Sequence, residues 1–171
     1  KTGLYTALAG LTGQDMPGKI FRLNRDLRFS RDKTPYNAHV RMAFWPAGTA
    51  FQGKAAQPPS FFLSIEPDQL IFGARVMGFS KAMLNAYRQA LASGWGAGLE
   101  KLLADLGSAE FELSEPDLKK PPPGFAIDAP HAALARHKGL TVWHRTSEPD
   151  LIFGPAAAER LKPLWQPALP L

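Results

Sequence analysis

Arg22, Asn24 and Arg28 stand on alternate positions of the segment Phe21 to Phe29, with Asp26 among them. In an extended chain, residues two apart lie on one face at steps of about 7 Å. Two guanidiniums with an amide between them suit a phosphate or a carboxylate, which they hold through charge-assisted forks. Lys33 and Tyr36 follow a few residues on and could complete such a site, the tyrosine as a hydrogen-bond donor or, with its proton loosened by neighbouring cations, as an acid or base. The bland reading of the same residues is an internal network in which Asp26 and Asp32 neutralise the arginines and fix a loop. Two acids cannot satisfy every base present, so a ligand site lined by Arg22, Asn24, Asp26, Arg28, Lys33 and Tyr36 is the leading expectation.

The charge distribution points to the same stretch. The chain has 171 residues and a formal net charge of +5. Seven bases and two acids fall between Lys19 and Arg41, so the whole excess sits in that segment and the other residues balance at 13 bases and 13 acids. A localised surplus attracts anions in a way that a diffuse one does not. Arg25 lies on the apolar side of the alternation, where an unpaired guanidinium is costly. Glu66, at the end of a later apolar run, is its expected ion-pair partner in preference to acting as a general base.

Other chemistries find little support. Without cysteine the chain has no disulfide, thiolate metal site or thiol nucleophile. His39, His131, His137 and His144 form neither an HExxH pattern nor a close ligand pair, and no metal or cofactor is expected. Gly94 to Gly98 lacks the lysine and spacing of a phosphate-binding loop. Phe29, Tyr36, Phe44 and Trp45, interleaved with arginines, resemble a stacking platform for single-stranded nucleic acid. The apolar parity of Phe29 and Phe44 assigns them to a core instead, which leaves nucleic acid as the runner-up and a structural motif serving a protein partner as the third reading. No apolar run of about 18 residues is present to span a bilayer, and the expectation is a soluble, cytoplasmic protein with no membrane partner. Neither a catalytic residue nor an oligomeric state is assigned.

The elements that must position these residues are short, as 16 prolines and 15 glycines suggest. Leu4, Leu8 and Leu11 mark an amphipathic helix over Lys1 to Gly13. Alternation predicts a strand from Phe21 to Phe29 and another from His39 to Trp45, with His39, Arg41 and Ala43 opposite Val40, Met42 and Phe44. Phe61 to Glu66 and Leu70 to Val76 flank Pro67-Asp68-Gln69 as a hairpin. Ser80 caps a helix that turns Met83, Leu84, Tyr87 and Leu91 toward the core, and a second helix covers Ala97 to Leu106. A short strand at Phe111 to Leu113, a short helix from Pro130 to Lys138, a strand from Leu140 to Arg145 and a helix opened by Pro155 complete the chain. The fold class is α+β, one domain over residues 1–171 with a mainly antiparallel sheet and packed helices.

The run from Phe21 to Ser30, followed by Asp32-Lys33 and Pro35-Tyr36, resembles a bacterial family of conserved hypothetical proteins, the domain of unknown function family 2461 (DUF2461). Pro59 to Pro67, the helix with Arg88, and Pro121 to Gly124 with Asp128 are similar to later landmarks of that family. The chain departs from the pattern at Asn37, where the family usually has lysine, and at Ala74-Arg75, in place of a glycine-rich step. The resemblance implies a related α+β fold, a shared motif and no particular reaction. It also implies a longer helical region before residue 1.

Overall fold

A computed structural model describes residues 2–24, 28, 33–49 and 57–171. The strands β1 (Gly18–Ile20), β2 (Val40–Phe44), β3 (Ser60–Ile65), β4 (Leu70–Val76), β5 (Glu112–Leu113) and β6 (Leu140–Thr146) form one sheet in the order β1-β2-β3-β4-β6-β5. Every pairing is antiparallel. The helices are α1 (Thr2–Thr12), α2 (Lys81–Ala92), α3 (Trp95–Ser108) and α4 (Ala157–Trp165). The fold is thus α+β.

Strand alternation divides the sheet into two faces. On one, Met42, Phe44, Leu63, Phe72 and Val142 are buried in a core with Leu8 of α1, Leu106 of α3, and Leu161 and Trp165 of α4. Burying each such side chain is worth about 1.5–3 kcal/mol. Phe72 sits edge-on to both Phe111 and Trp165, at 6.0 and 5.9 Å between ring centres. A second cluster joins Tyr87 and Leu91 of α2 to Leu99 of α3 and Leu140 of β6, and there the Tyr87 hydroxyl donates to the Leu134 carbonyl at 3.0 Å. All four helices therefore contribute to this side.

The register runs three rows of residues across the other face. The first is Arg41–Ser64–Ile71–Arg145, the second Lys19–Ala43–Phe62–Gly73–Trp143–Glu112, and the third Ser60–Arg75–Thr141. Arg41 and Arg145 are exposed, and Phe62, Ile71, Arg75 and Trp143 are partly so.

Several expectations need correction. The strand foreseen from Phe21 to Phe29 is not a strand over its described residues: β1 ends at Ile20, and beyond it the chain pairs through the Phe21 amide, which donates to the Arg41 carbonyl at 2.9 Å, and through an isolated bridge between Asn24 and Tyr36. Leu23, assigned to an apolar side, is 42% exposed. Ser80 caps α2 as foreseen, its hydroxyl accepting from the Met83 amide at 3.2 Å, yet Met83 itself faces solvent. The helix predicted over Pro130 to Lys138 is a set of turns with one short 3-10 segment, Leu134–Arg136. His131 breaks it with a φ of 61°, and its ring lies against Gly96 with Nδ1 2.7 Å from Glu100.

Candidate functional site

The face of the sheet away from the four described helices carries two adjoining hollows. One, of about 350 Å3, is lined by Arg22, His39, Arg41 and Arg75, with Asn37 and Gln57 beside them and Phe21 and Met77 as apolar walls. The other, of about 220 Å3, lies over the middle of the sheet between Phe62 and Trp143, with Ser64, Glu66 and Thr141 at its margins. Phe21, Arg41 and Arg75 belong to both and so form the wall between them.

Arg41 and Arg75 reach this wall from β2 and β4. They are two strands apart and sit on either side of the Phe62 row. The Arg75 guanidinium lies over the Phe62 ring, 5.3 Å from its centre, and its Nε–H makes a long contact of 3.5 Å to Ser60 Oγ. Burial and the nearby Arg41 charge both lower the Arg75 pKa from its ordinary value. A guanidinium remains protonated throughout the accessible pH range, so the shift expresses an energetic cost of carrying this charge in a half-buried place beside a like charge. Among the described residues, no carboxylate stands within ion-pair distance of Arg22, Arg41 or Arg75. Glu66 is nearby on the far side of the wall, where Ser64 Oγ donates to its Oε1 at 3.0 Å.

Gly73 shapes the second hollow. A Cβ there would come within 1.9 Å of the Val142 carbonyl oxygen, so β4 and β6 approach each other closely only because the residue has no side chain. The result is a gap in the row between Phe62 and Trp143. The indole is fixed from the outside: its Nε1–H donates to Glu112 Oε2 at 3.0 Å, and Arg145 Nη1 donates to both Glu112 oxygens at 2.9 Å while lying over the indole. The indole hydrogen bond, and then Arg145, hold the Glu112 carboxyl below the usual carboxylate range against the opposing effect of desolvation.

Of the residues singled out in the sequence, Arg22 lines the basic hollow and Glu66 the aromatic one. Asn24 and Tyr36 are bridged to each other, reinforced by the Asn37 amide donating to the Leu23 carbonyl at 2.7 Å. Neither is among the residues lining the two hollows, and Tyr36 is 63% exposed. Arg28 and Lys33 are exposed and engaged in interactions of their own. Asp26 and Arg25 lie outside the described residues, and with Arg25 the expected pair with Glu66. Phe44, considered as a stacking residue, is buried in the core.

Residues 6–171 match the family of conserved hypothetical proteins DUF2461. The chain belongs to that family. No curated protein and no solved structure gives a significant match. In this DUF2461 member Arg75 is a wall residue of both hollows and Asn37 lines the basic one.

Arg75 escaped the sequence reading as a site residue because it lies more than thirty positions beyond the basic segment. The signal available was parity: Ile71, Gly73 and Arg75 alternate with Leu70, Phe72 and Ala74, just as Arg41 alternates with Met42. Among the described residues no cluster of three histidine or acidic side chains is placed to hold a metal, and no helix is long and apolar enough to cross a membrane.

Proposed function

We propose that the chain binds a small anionic ligand, a phosphate- or carboxylate-bearing molecule, on the face of its sheet away from the described helices. Arg41 and Arg75 are the principal contacts, Arg22 and His39 the flanking ones. The observation that carries this reading is the partly buried Arg75, facing the exposed Arg41 across the hollows they both line, with no described carboxylate paired to either. Like charges in a partly desolvated place are unfavourable, and an anion between them relieves both the repulsion and the lost hydration. The site foreseen around Arg22 to Tyr36 thereby moves inward. Arg22 stays in the lining, while Asn24, Arg28, Lys33 and Tyr36 are not among the lining residues and Asp26 is a neighbour in sequence.

The test is a thermal-melt titration of the chain with inorganic pyrophosphate, alongside Arg41→Gln and Arg75→Met. A ligand that binds only the folded state at a hundred times its Kd stabilises by about 2.7 kcal/mol, which for a domain of this size is a rise of roughly 5–11 °C in Tm. A charge-assisted hydrogen bond contributes about 1.5–3 kcal/mol, so either substitution weakens the anion at least ten-fold. A melt indifferent to pyrophosphate and to the other small anions tried in its place refutes the reading.

A further inference from the structure

Resting on that reading, we infer that the ligand carries a planar nitrogen heterocycle as well as its anionic group, so that the site takes a single nucleoside phosphate. The two hollows differ in chemistry and share a wall, and a ligand that touches the Arg41–Arg75 wall has access to both. The basic hollow is fit for the phosphate. The second is built differently: its sides are aromatic, Phe62 and Trp143, its floor is Ile71, and Ser64, Thr141 and Glu66 line its edge.

Three features suit this second hollow to a flat ring. Phe62 and Trp143 occupy one row on strands two apart, which places their backbones about 10 Å from each other. A planar ring in contact on both sides needs about 7–8 Å between the flanking groups. Gly73, in the same row between them, leaves the space open, and no larger residue fits because a Cβ would strike the Val142 carbonyl. Both walls are also held before any ligand arrives: Arg75 lies over Phe62, and Glu112 with Arg145 fixes the indole. The ring enters between the Arg75–Phe62 stack and Trp143, a setting of aromatic and guanidinium planes of the kind that holds unstacked bases.

Polarity orients the ligand. Glu66 on the aromatic side accepts from Ser64 through Oε1 and has its second oxygen left to accept from a ring N–H. The same carboxylate repels a phosphate, which drives the anionic group to the other side of the arginine wall. An anion without a ring fills only the basic hollow, and an uncharged nucleoside only the aromatic one.

The experiment titrates the full chain with guanosine 5′-monophosphate, inorganic phosphate and guanosine, reading heat of binding, and repeats the titrations on Trp143→Leu, Trp143→Phe and Arg41→Gln. The nucleotide is expected to bind at least ten-fold more tightly than phosphate. Trp143→Leu should remove that advantage while leaving phosphate affinity unchanged, Trp143→Phe should retain most of it, and Arg41→Gln should weaken nucleotide and phosphate together. Equal affinities for nucleotide and phosphate overturn the ring assignment and leave anion binding standing. Failure of both to bind overturns both. An eight-residue oligodeoxythymidylate bound more tightly than the mononucleotide overturns the assignment of a single nucleoside phosphate.

Discussion

Replacing Gly73 by alanine probes the geometry on which the whole open face depends. The added methyl group would stand 1.9 Å from the Val142 oxygen and 2.9 Å from the Trp143 Cα, where ordinary contact is about 3.5 Å. Both obstacles are backbone in the paired strand β6, so no side chain can swing aside and the strands must part. Forcing a methyl group into such a place costs about 1–3 kcal/mol, and weakening one or two ladder hydrogen bonds adds about 0.5–1.5 kcal/mol each. A loss of about 3 kcal/mol corresponds to roughly 6–12 °C in Tm for a domain of this length. The control is Gly98→Ala in α3, where the new Cβ meets nothing within 4 Å and the gain in helix propensity is about 0.5–1 kcal/mol. Calorimetric melts of the three proteins decide the matter. A Gly73→Ala protein melting within 2 °C of the parent would show that β4 and β6 are not as close as described, and the gap between Phe62 and Trp143 would lose its cause.

Ser80→Ala removes the hydroxyl that accepts the Met83 amide at the start of α2 and should cost about 1 kcal/mol in urea unfolding, whereas Ser93→Ala, beyond the helix end, should cost less. His137 is 4% exposed, and burial lowers its pKa below 6.5, with Arg136 acting the same way and Asp117 and Glu115 opposing. The unfolded chain therefore takes up this proton first. The contribution is fully present above about pH 6.5 and is lost as pH falls from there toward the folded-state pKa, with a slope of at most about 1.4 kcal/mol per pH unit. Unfolding by urea from pH 8 to 5 checks this, and His137→Gln should flatten the slope in the acid half. Arg75→Met removes a charge that burial and Arg41 disfavour but also its placement over Phe62. Its unfolding free energy without ligand should stay within about 1 kcal/mol of the parent, the range for modest charge interactions, so that a large loss of stability would mean that Arg75 serves the fold.

Local chemistry made part of this structure readable in advance. Pro67-Asp68-Gln69 between two apolar runs identified the β3–β4 hairpin, because the proline suits the second position of a tight turn. Ser80 announced α2, and alternation found β2 with Arg41 on the face opposite Met42. What failed was whatever depended on a partner distant in sequence. The segment after Ile20 alternates as a strand should, but alternation produces a strand only where pairing is continuous, and over the described residues past β1 the pairing is reduced to an isolated bridge between Asn24 and Tyr36. Pro130 to Lys138 has a helical composition, yet His131, its ring seated on Gly96, adopts a left-handed backbone angle that no α-helix contains. The arginine wall was hidden for a related reason. Arg41 and Arg75 come to line the same hollows through the register of β2 on β3 and β3 on β4, and registers across three strands are not written in any one stretch of residues. Arg22, found from the basic segment itself, was the part of the site that sequence could reach.

The most direct test of the anion site follows the arginine side chains themselves. In a nitrogen-15 spectrum of the Nε–H groups, titration with inorganic phosphate should shift Arg41 and Arg75 together along one saturable curve, with Arg22 moving less. Arg145, held by Glu112 at 2.9 Å, should stay in place. Equal, unsaturated drift of all four would show only diffuse screening of charge and would contradict the account.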